Sequence, residues 1–335
     1  MTTAKANPNF HVGTKTTVFD VKADDKRFIE YRKRWYEYPK KHIIGDFPIH
    51  LDIESTYRCN LKCPFCARTF NNWGGPTEKD LDFSLYKKIV DEGSKNNLYS
   101  IKLSLRGEPL LHRKISEMVS YAKEKKIIDV YFNTNAVLLN EKIIYKLINA
   151  RLDRISISFE GIDKEEYEKN RPPAKFENVL KNVKLLRSIK DSLNVKHPQI
   201  RVQTVLTPTM KKIFPKYVDF WKNFADEVSY LDMRKETPGY NHQGTIAKWC
   251  CPFPWQRMVV LCDWTIIPCL LHGIGDFSKF TIGNAKNIDI KEAWLGEKMD
   301  RFRELNKSGQ GHLLEACDQC SFRAMELEKN GIVKK

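Results

Sequence analysis

The chain reads as an α/β protein built around a mostly parallel sheet, and three observations predict that class. Short runs rich in Ile, Val, Phe and Tyr alternate with stretches of helical period between residues 49 and 235. Strands separated by crossover helices pair in parallel. A length of 335 residues suits one large α/β domain with a smaller one, or a barrel with an extension. Six strand units favour an open or partial barrel over an eight-fold one, although periodicity alone leaves a doubly wound sheet open.

Residues 1–48 are polar and basic, and Phe28-Ile29-Glu30-Tyr31-Arg32-Lys33-Arg34-Trp35-Tyr36 predicts a leading helix packed on the outside of the main domain. The first strand is Ile49–Glu54, which runs straight into a cysteine-rich loop. A helix is expected from Ser84 to Ser94, a strand over Ile101–Leu105, then a helix from Lys114 to Lys125. Asp129–Asn133 forms the third strand, followed by a helix over Glu141–Ala150. Arg154–Phe159 forms the fourth, followed by a helix over Phe176–Lys190. Ile200–Leu206 forms the fifth, with a helix near Lys216–Phe224, and Val228–Met233 closes the series. The expected units are an N-terminal helical extension (1–48), a barrel (49–235) and a small cysteine-rich domain (236–335).

The composition narrows the function. No apolar run approaches the length of a membrane span, and Met1-Thr2-Thr3-Ala4-Lys5 lacks a signal core, so a cytoplasmic place and no membrane partner are expected. Nine cysteines there read as metal ligands before disulfides. The net charge of +15 favours anionic partners. Its lysines are scattered without a long basic run, so a solvated surface is the first reading and nucleic acid is disfavoured.

Cys59, Cys63 and Cys66 follow the first strand with the spacing C-x3-C-x2-C. Three thiolates from one loop can cap three irons of a cubane and leave the fourth open to a substrate or cofactor. Structural zinc asks for four closed ligands. The motif, with Phe65 before its last cysteine, resembles that of the radical S-adenosylmethionine (SAM) superfamily. The resemblance implies a partial (β/α)6 TIM-like barrel, a 4Fe–4S cluster whose open iron binds SAM, and a 5′-deoxyadenosyl radical that takes a hydrogen atom from substrate. Function in such barrels sits at the C-terminal ends of the strands, where this loop lies.

Further segments carry the resemblance. Arg106-Gly107-Glu108-Pro109 resembles the family's Gly-Gly-Glu-Pro signature, with Arg106 in place of the first glycine. That likeness implies that Gly107 and Glu108 hold the SAM amino group, a task for which a carboxylate is suited. Asn135, in Asn133-Thr134-Asn135-Ala136, either orients SAM or the neighbouring loop or caps a helix. Ser158 and Arg171 match positions that bind the SAM carboxylate, and Phe65 is expected beside the adenine. Glu160 stands where many relatives have aspartate and is expected to face substrate. Arg234, at the end of the sixth strand, is a candidate substrate contact.

The last hundred residues hold Cys250, Cys251, Cys262, Cys269, Cys317 and Cys320. By spacing alone, Cys251-x17-Cys269 with Cys317-x2-Cys320 suits a four-thiolate zinc ribbon as well as a cluster. The context Cys251-Pro252-Phe253-Pro254-Trp255, a hairpin ending at Cys269, and Ile282-Gly283-Asn284 resemble the SPASM/twitch extension of radical SAM enzymes. That likeness implies one auxiliary 4Fe–4S cluster. Trp264 replaces the usual glycine of the hairpin turn. Either Cys250 or Cys251 can supply the first ligand.

Four thiolates close the auxiliary site, which implies electron transfer and net two-electron oxidation of an alcohol. The expected substrate is small and polar: a sugar, nucleotide sugar or aminocyclitol, anionic or sugar-linked. A flavodoxin or ferredoxin-type reductant is implied. The alternatives are a radical epimerase with Cys250 as hydrogen-atom donor and Cys262 as a buried apolar residue, a peptide-modifying enzyme, or a non-catalytic zinc-ribbon scaffold that binds nucleic acid.

Overall fold

The computed structural model describes residues 10–14, 17–70, 79–232, 249–269, 280–318 and 320–329. A short strand β1 (Phe10–Val12) precedes helix α1 (Lys26–Lys41), which starts where the Asp25 side chain accepts from the backbone N–H groups of Arg27 and Phe28. Next come β2 (His50–Ile53), the cysteine loop, α2 (Ala67–Phe70) and α3 (Phe83–Lys95). The repeat continues with β3 (Ser100–Lys102), α4 (Ile115–Glu124), β4 (Asp129–Thr134), α5 (Glu141–Asn149) and β5 (Arg154–Ser158). Then follow α6 (Lys164–Asn170), α7 (Phe176–Ser192), β6 (Gln199–Leu206), α8 (Pro208–Trp221) and β7 (Glu227–Asp232). The C-terminal part holds β8 (Arg257–Val260), β9 (Thr265–Ile267), β10 (Gly283–Asn284), α9 (Ile290–Leu295), α10 (Glu297–Lys307), α11 (Glu315–Asp318) and α12 (Ser321–Lys329).

The six predicted strands are β2 to β7, in parallel and in sequence order, within a sheet running β1-β7-β6-β5-β4-β3-β2-β8-β9-β10. The barrel is therefore partial, as expected, and both of its edges are extended. β8 pairs parallel to β2, with Leu51 opposite Met258, and β1 pairs antiparallel to β7. In register, Leu51, Ile101 and Val130 lie side by side, as do Phe132, Ile155 and Ile200, all fully buried beneath the helices. Each such side chain contributes about 1.5–3 kcal/mol relative to exposure.

The alternate residues at the strand starts are polar and bond to one another. His50 Nδ1 meets Ser100 Oγ at 3.0 Å, Ser100 donates to Asp129 at 2.9 Å, and Arg154 forks onto Asp129 at 2.8 and 2.7 Å. Burial alone would raise the Asp129 carboxyl, but the Arg154 guanidinium outweighs it and holds it well below the usual carboxylate range. α1 lies over these strand starts: Trp35 meets His50 edge-on at 5.7 Å, and the Arg257 guanidinium lies 4.9 Å from the Trp35 ring. The leading helix thus closes the N-terminal end of the sheet rather than adding to its outer layer.

Helices α8 and α6 differ from expectation. α8 begins eight residues before Lys216, because the Thr207 side chain accepts from Met210 N–H and Pro208 occupies the first turn, where no N–H is needed. It then continues through Pro215, which reads as a breaker in sequence. The short α6, capped by Asp163, is absent from the sequence expectation. Among the described residues no helix is long and apolar enough to cross a membrane.

Candidate functional site

The loop after β2 brings Cys59, Cys63 and Cys66 together at the C-terminal ends of the parallel strands. Its turns are fixed by Cys66 N–H to Cys63 C=O at 3.0 Å and Thr69 N–H to Cys66 C=O at 2.7 Å. Lys62 N–H to Pro172 C=O, 2.8 Å, ties it to the loop that carries Arg171. Burial pushes the Cys63 thiol up to about 11; Arg171 opposes this, while Glu160, Cys66 and Cys59 add to it. The three thiols are thus within electrostatic reach of one another, beside a guanidinium.

Gly107 packs against this loop so closely that a Cβ there would sit 2.1 Å from the Thr56 carbonyl oxygen and 2.7 Å from that of Arg58. Glu108 N–H bonds the Arg58 carbonyl at 2.7 Å. The buried Glu108 carboxylate accepts from Leu110 N–H at 3.1 Å, Thr134 O–H at 2.6 Å and Asn135 N–H at 2.7 Å. Burial nevertheless raises its carboxyl to about 7, against those hydrogen bonds. Asn135 donates to Asn60 Oδ1 at 2.8 Å and accepts from Val137 N–H at 3.0 Å. It therefore orients the cysteine loop, while the cap of α5 is Asn140.

Arg171 and Glu160 face each other. Arg171 Nη2 donates to Glu160 Oε1 at 2.7 Å, and Nε donates to the other oxygen. Nη1 meets Cys63 Sγ at 3.6 Å, and the guanidinium lies 5.2 Å from the Phe65 ring. Glu160 is buried as the partner of Arg171. Ser158 ends β5, paired with Gln203.

Arg106 forks onto Glu54 at 2.7 and 2.6 Å. The same carboxylate accepts from Cys262 N–H at 3.3 Å. Burial and the hydrogen bond of the Cys262 thiol to Glu54 push that thiol well up. Glu54, Arg106 and Cys262 follow β2, β3 and β8, so they share the end of the sheet that carries the cysteine loop.

In the C-terminal part, Cys251 is half-buried; desolvation raises its thiol, and Cys269, Cys317 and Cys320 raise it further. Cys250 faces elsewhere: its thiol donates to the Cys251 carbonyl at 3.9 Å and Lys307 of α10 is its charged neighbour. Cys251, Cys269, Cys317 and Cys320 are thus the set that gathers. Among the described residues no three His, Cys, Asp or Glu side chains are close enough to hold a single metal ion. The four thiols influence one another electrostatically, and in a cubane each thiolate meets its own iron. Trp264 takes the left-handed conformation (φ 71°) that a glycine would occupy, and its N–H to Leu261 C=O, 2.9 Å, keeps the hairpin turn.

Arg234 lies outside the described residues. Asn60, Thr134 and Glu54 were missed in sequence. Glu54 was findable by the logic that picked Glu108, a carboxylate where a strand ends.

Known proteins resemble this chain in sequence and in fold. The radical SAM superfamily profile matches residues 53–197, and the profile of the SPASM iron–sulfur cluster-binding domain matches residues 250–321, together more than half of the chain. The tungsten-containing aldehyde ferredoxin oxidoreductase cofactor-modifying protein of Pyrococcus furiosus is 23% identical over 318 residues, covering 82% of this chain and 87% of that protein. BtrN in complex with AdoMet and 2-DOIA superposes with a TM-score of 0.53 at 20% identity, covering 82% of this chain and 93% of that one. Streptococcus suis SuiB bound to S-adenosylmethionine gives a TM-score of 0.61 at 16% identity, covering 83% of this chain and 73% of that one. At these identities the two structures establish the fold.

Proposed function

The chain belongs to the radical SAM superfamily and carries a C-terminal SPASM domain, and we propose that it oxidises a secondary alcohol of a sugar, nucleotide sugar or aminocyclitol by two electrons. Such a chain takes SAM, a SAM-binding 4Fe–4S cluster and an auxiliary cluster, which replaces the zinc-scaffold expectation. When bound, the SAM-binding cluster supplies the one-electron cleavage of SAM that leads to hydrogen-atom abstraction.

The residues take these parts. Cys59, Cys63 and Cys66 hold the first cluster, and Arg171 offsets its negative charge at Cys63. Glu108 receives the SAM ammonium, with Thr134 and Asn135 fixing its two oxygens. Arg171 and Ser158 serve the SAM carboxylate, Glu160 fixes the orientation of Arg171, and Phe65 walls the adenine side. Arg106 is held by Glu54 at the mouth, where the net positive charge of the chain favours an anionic substrate.

The observation that supports oxidation is the gathering of four thiols, Cys251, Cys269, Cys317 and Cys320. A site closed by four ligands passes electrons and leaves no iron for substrate. When bound, an auxiliary cluster here would accept the electron that a substrate radical must lose, with one proton going to solvent, to become a carbonyl. A ferredoxin or flavodoxin-type protein supplies and collects the electrons.

A second reading is epimerisation, now with Cys262 in place of Cys250. Its thiol sits with Glu54 and Arg106 at the C-terminal strand ends, whereas Cys250 faces α10. The Cys262 thiol gives a hydrogen atom to the substrate carbon, and the sulfur regains one electron from the reductant and one proton.

Anaerobic incubation of the reconstituted protein with SAM, reductant and a panel of nucleotide sugars, aminocyclitols and peptides tests both. A product two hydrogens lighter, with stoichiometric 5′-deoxyadenosine, is expected. Unchanged mass with solvent deuterium, lost in Cys262→Ala, establishes epimerisation instead. Turnover confined to peptides refutes both.

A further inference from the structure

We propose that Arg323 sets the reduction potential of the auxiliary cluster, its guanidinium standing within electrostatic reach of the thiolate ligands and stabilising the reduced, more negative state. The inference rests on the assignment of Cys251, Cys269, Cys317 and Cys320 to that cluster.

Arg323 is 4% exposed, and its Nη1 and Nη2 find no hydrogen-bond partner among the described residues. The contrast with Arg303 is instructive. Arg303 is equally buried, but it donates to the Pro254 carbonyl at 3.1 Å, the Trp294 carbonyl at 2.7 Å and Asp300 at 2.6 Å. A buried guanidinium persists where opposite charge meets it. For Arg323 that charge comes from Cys317, Asp318, Cys320 and Cys251, which favour its charged form against burial.

The fold aims it there. Cys320 immediately precedes α12, whose first turn is closed by Ala324 N–H to Cys320 C=O at 2.9 Å. Arg323 stands three residues on, the helical spacing that returns to the same face. Phe322 stacks on Phe253 at 4.9 Å with the rings 10° apart, which ties α12 to the segment opened by Cys251. Gly311 lies beside Arg323: a Cβ there would stand in ordinary contact, 3.6 Å from Arg323 Nε and 3.4 Å from Asn306 Oδ1.

Four thiolates around a cubane leave a net negative charge that grows on reduction. A fixed cation with free donors stabilises the reduced form more than the oxidised one, and in a buried site the attraction is weakly screened.

The test is an anaerobic potentiometric titration of the two-cluster protein followed by electron paramagnetic resonance. The auxiliary signal is the one that SAM leaves unshifted. In Arg323→Gln the reduced-to-oxidised ratio at the wild-type midpoint is expected to fall tenfold or more, which for one electron is a shift of about 59 mV. Arg323→Lys, which keeps the charge, should fall by less than half as much on the logarithmic scale. Full iron loading with an unchanged auxiliary midpoint in Arg323→Gln overturns the proposal. A wild-type protein that never holds a second cluster overturns the cluster assignment, and the proposal with it. Should Arg323→Gln lose its iron, wild-type protein carrying ¹⁵N-arginine decides: nuclear coupling of ¹⁵N to the reduced auxiliary cluster is expected, and its absence refutes the contact.

Discussion

Glu108→Gln separates the charge of the site's most deeply held carboxylate from its hydrogen bonds. Glu108 Oε1 accepts from Leu110 and Thr134, and Oε2 from Asn135. A glutamine can keep its oxygen on the first two, but its NH₂ then faces the Asn135 N–H. One bond is lost and a buried donor is stranded, at about 1–3 kcal/mol. The charge acts in the other direction. Burial lifts the Glu108 carboxyl from its ordinary 4.5 to about 7. A folded value above the unfolded one means that the native chain holds the extra proton in that window. Wild-type stability therefore falls as pH rises from 4.5 to 7, by about 3 kcal/mol at about 1.4 kcal/mol per pH unit, and the loss is complete above 7. Glutamine has no such proton. The variant should be less stable than wild type by about 1–3 kcal/mol near pH 5, and the gap should close or reverse by about pH 8. Urea denaturation of the metal-free proteins at several pH values measures it, because other titrations cancel in the difference. A gap that stays constant across the range refutes the reasoning. SAM affinity gives a second readout: the wild type should bind more tightly as pH rises toward 7, and the variant should bind weakly at every pH.

Further substitutions bear on the assignments. Cys251→Ala should lose the auxiliary cluster, about half of the iron, while Cys250→Ala keeps both clusters; iron analysis after anaerobic reconstitution distinguishes them. Gly107→Ala drives a Cβ into the Thr56 and Arg58 carbonyls, so it should cost about 1–3 kcal/mol or more and blunt the SAM-induced change in the cluster's resonance signal. Glu54→Leu strands the Arg106 guanidinium and should cost about 3–5 kcal/mol in thermal or urea unfolding, while Glu54→Leu with Arg106→Met should recover most of it.

The site was partly legible because some of its chemistry is local. Three thiols seven positions apart at most must share a loop, and Gly107-Glu108 at the end of a strand must sit at the mouth of a parallel sheet. Pairings across the sheet were not legible. Glu160 and Arg171 were read as separate functions, one for substrate and one for SAM, and the structure joins them. Cys250 and Cys251 differ by one position, and only the packing of α10 and α12 decides which thiol turns to the other three. The start of α8 was legible in Thr207-Pro208, but Pro215 hid it, since a proline's missing N–H reads locally as a break although packing can carry the helix through.

The sequence by itself determined the α/β alternation, the six parallel strands, the trio at 59, 63 and 66, and the second cysteine group near the C-terminus, because each is set by period or spacing within a few dozen residues. Only the tertiary structure decided that β8 joins the edge of β2 and that α1 closes the strand starts. It also decided that Glu54, Arg106 and Cys262 meet, and that Arg323 is buried with its Nη1 and Nη2 lacking a hydrogen-bond partner among the described residues. These contacts join residues more than two hundred positions apart in places, and their geometry follows from how the whole sheet is assembled rather than from any local preference of the chain.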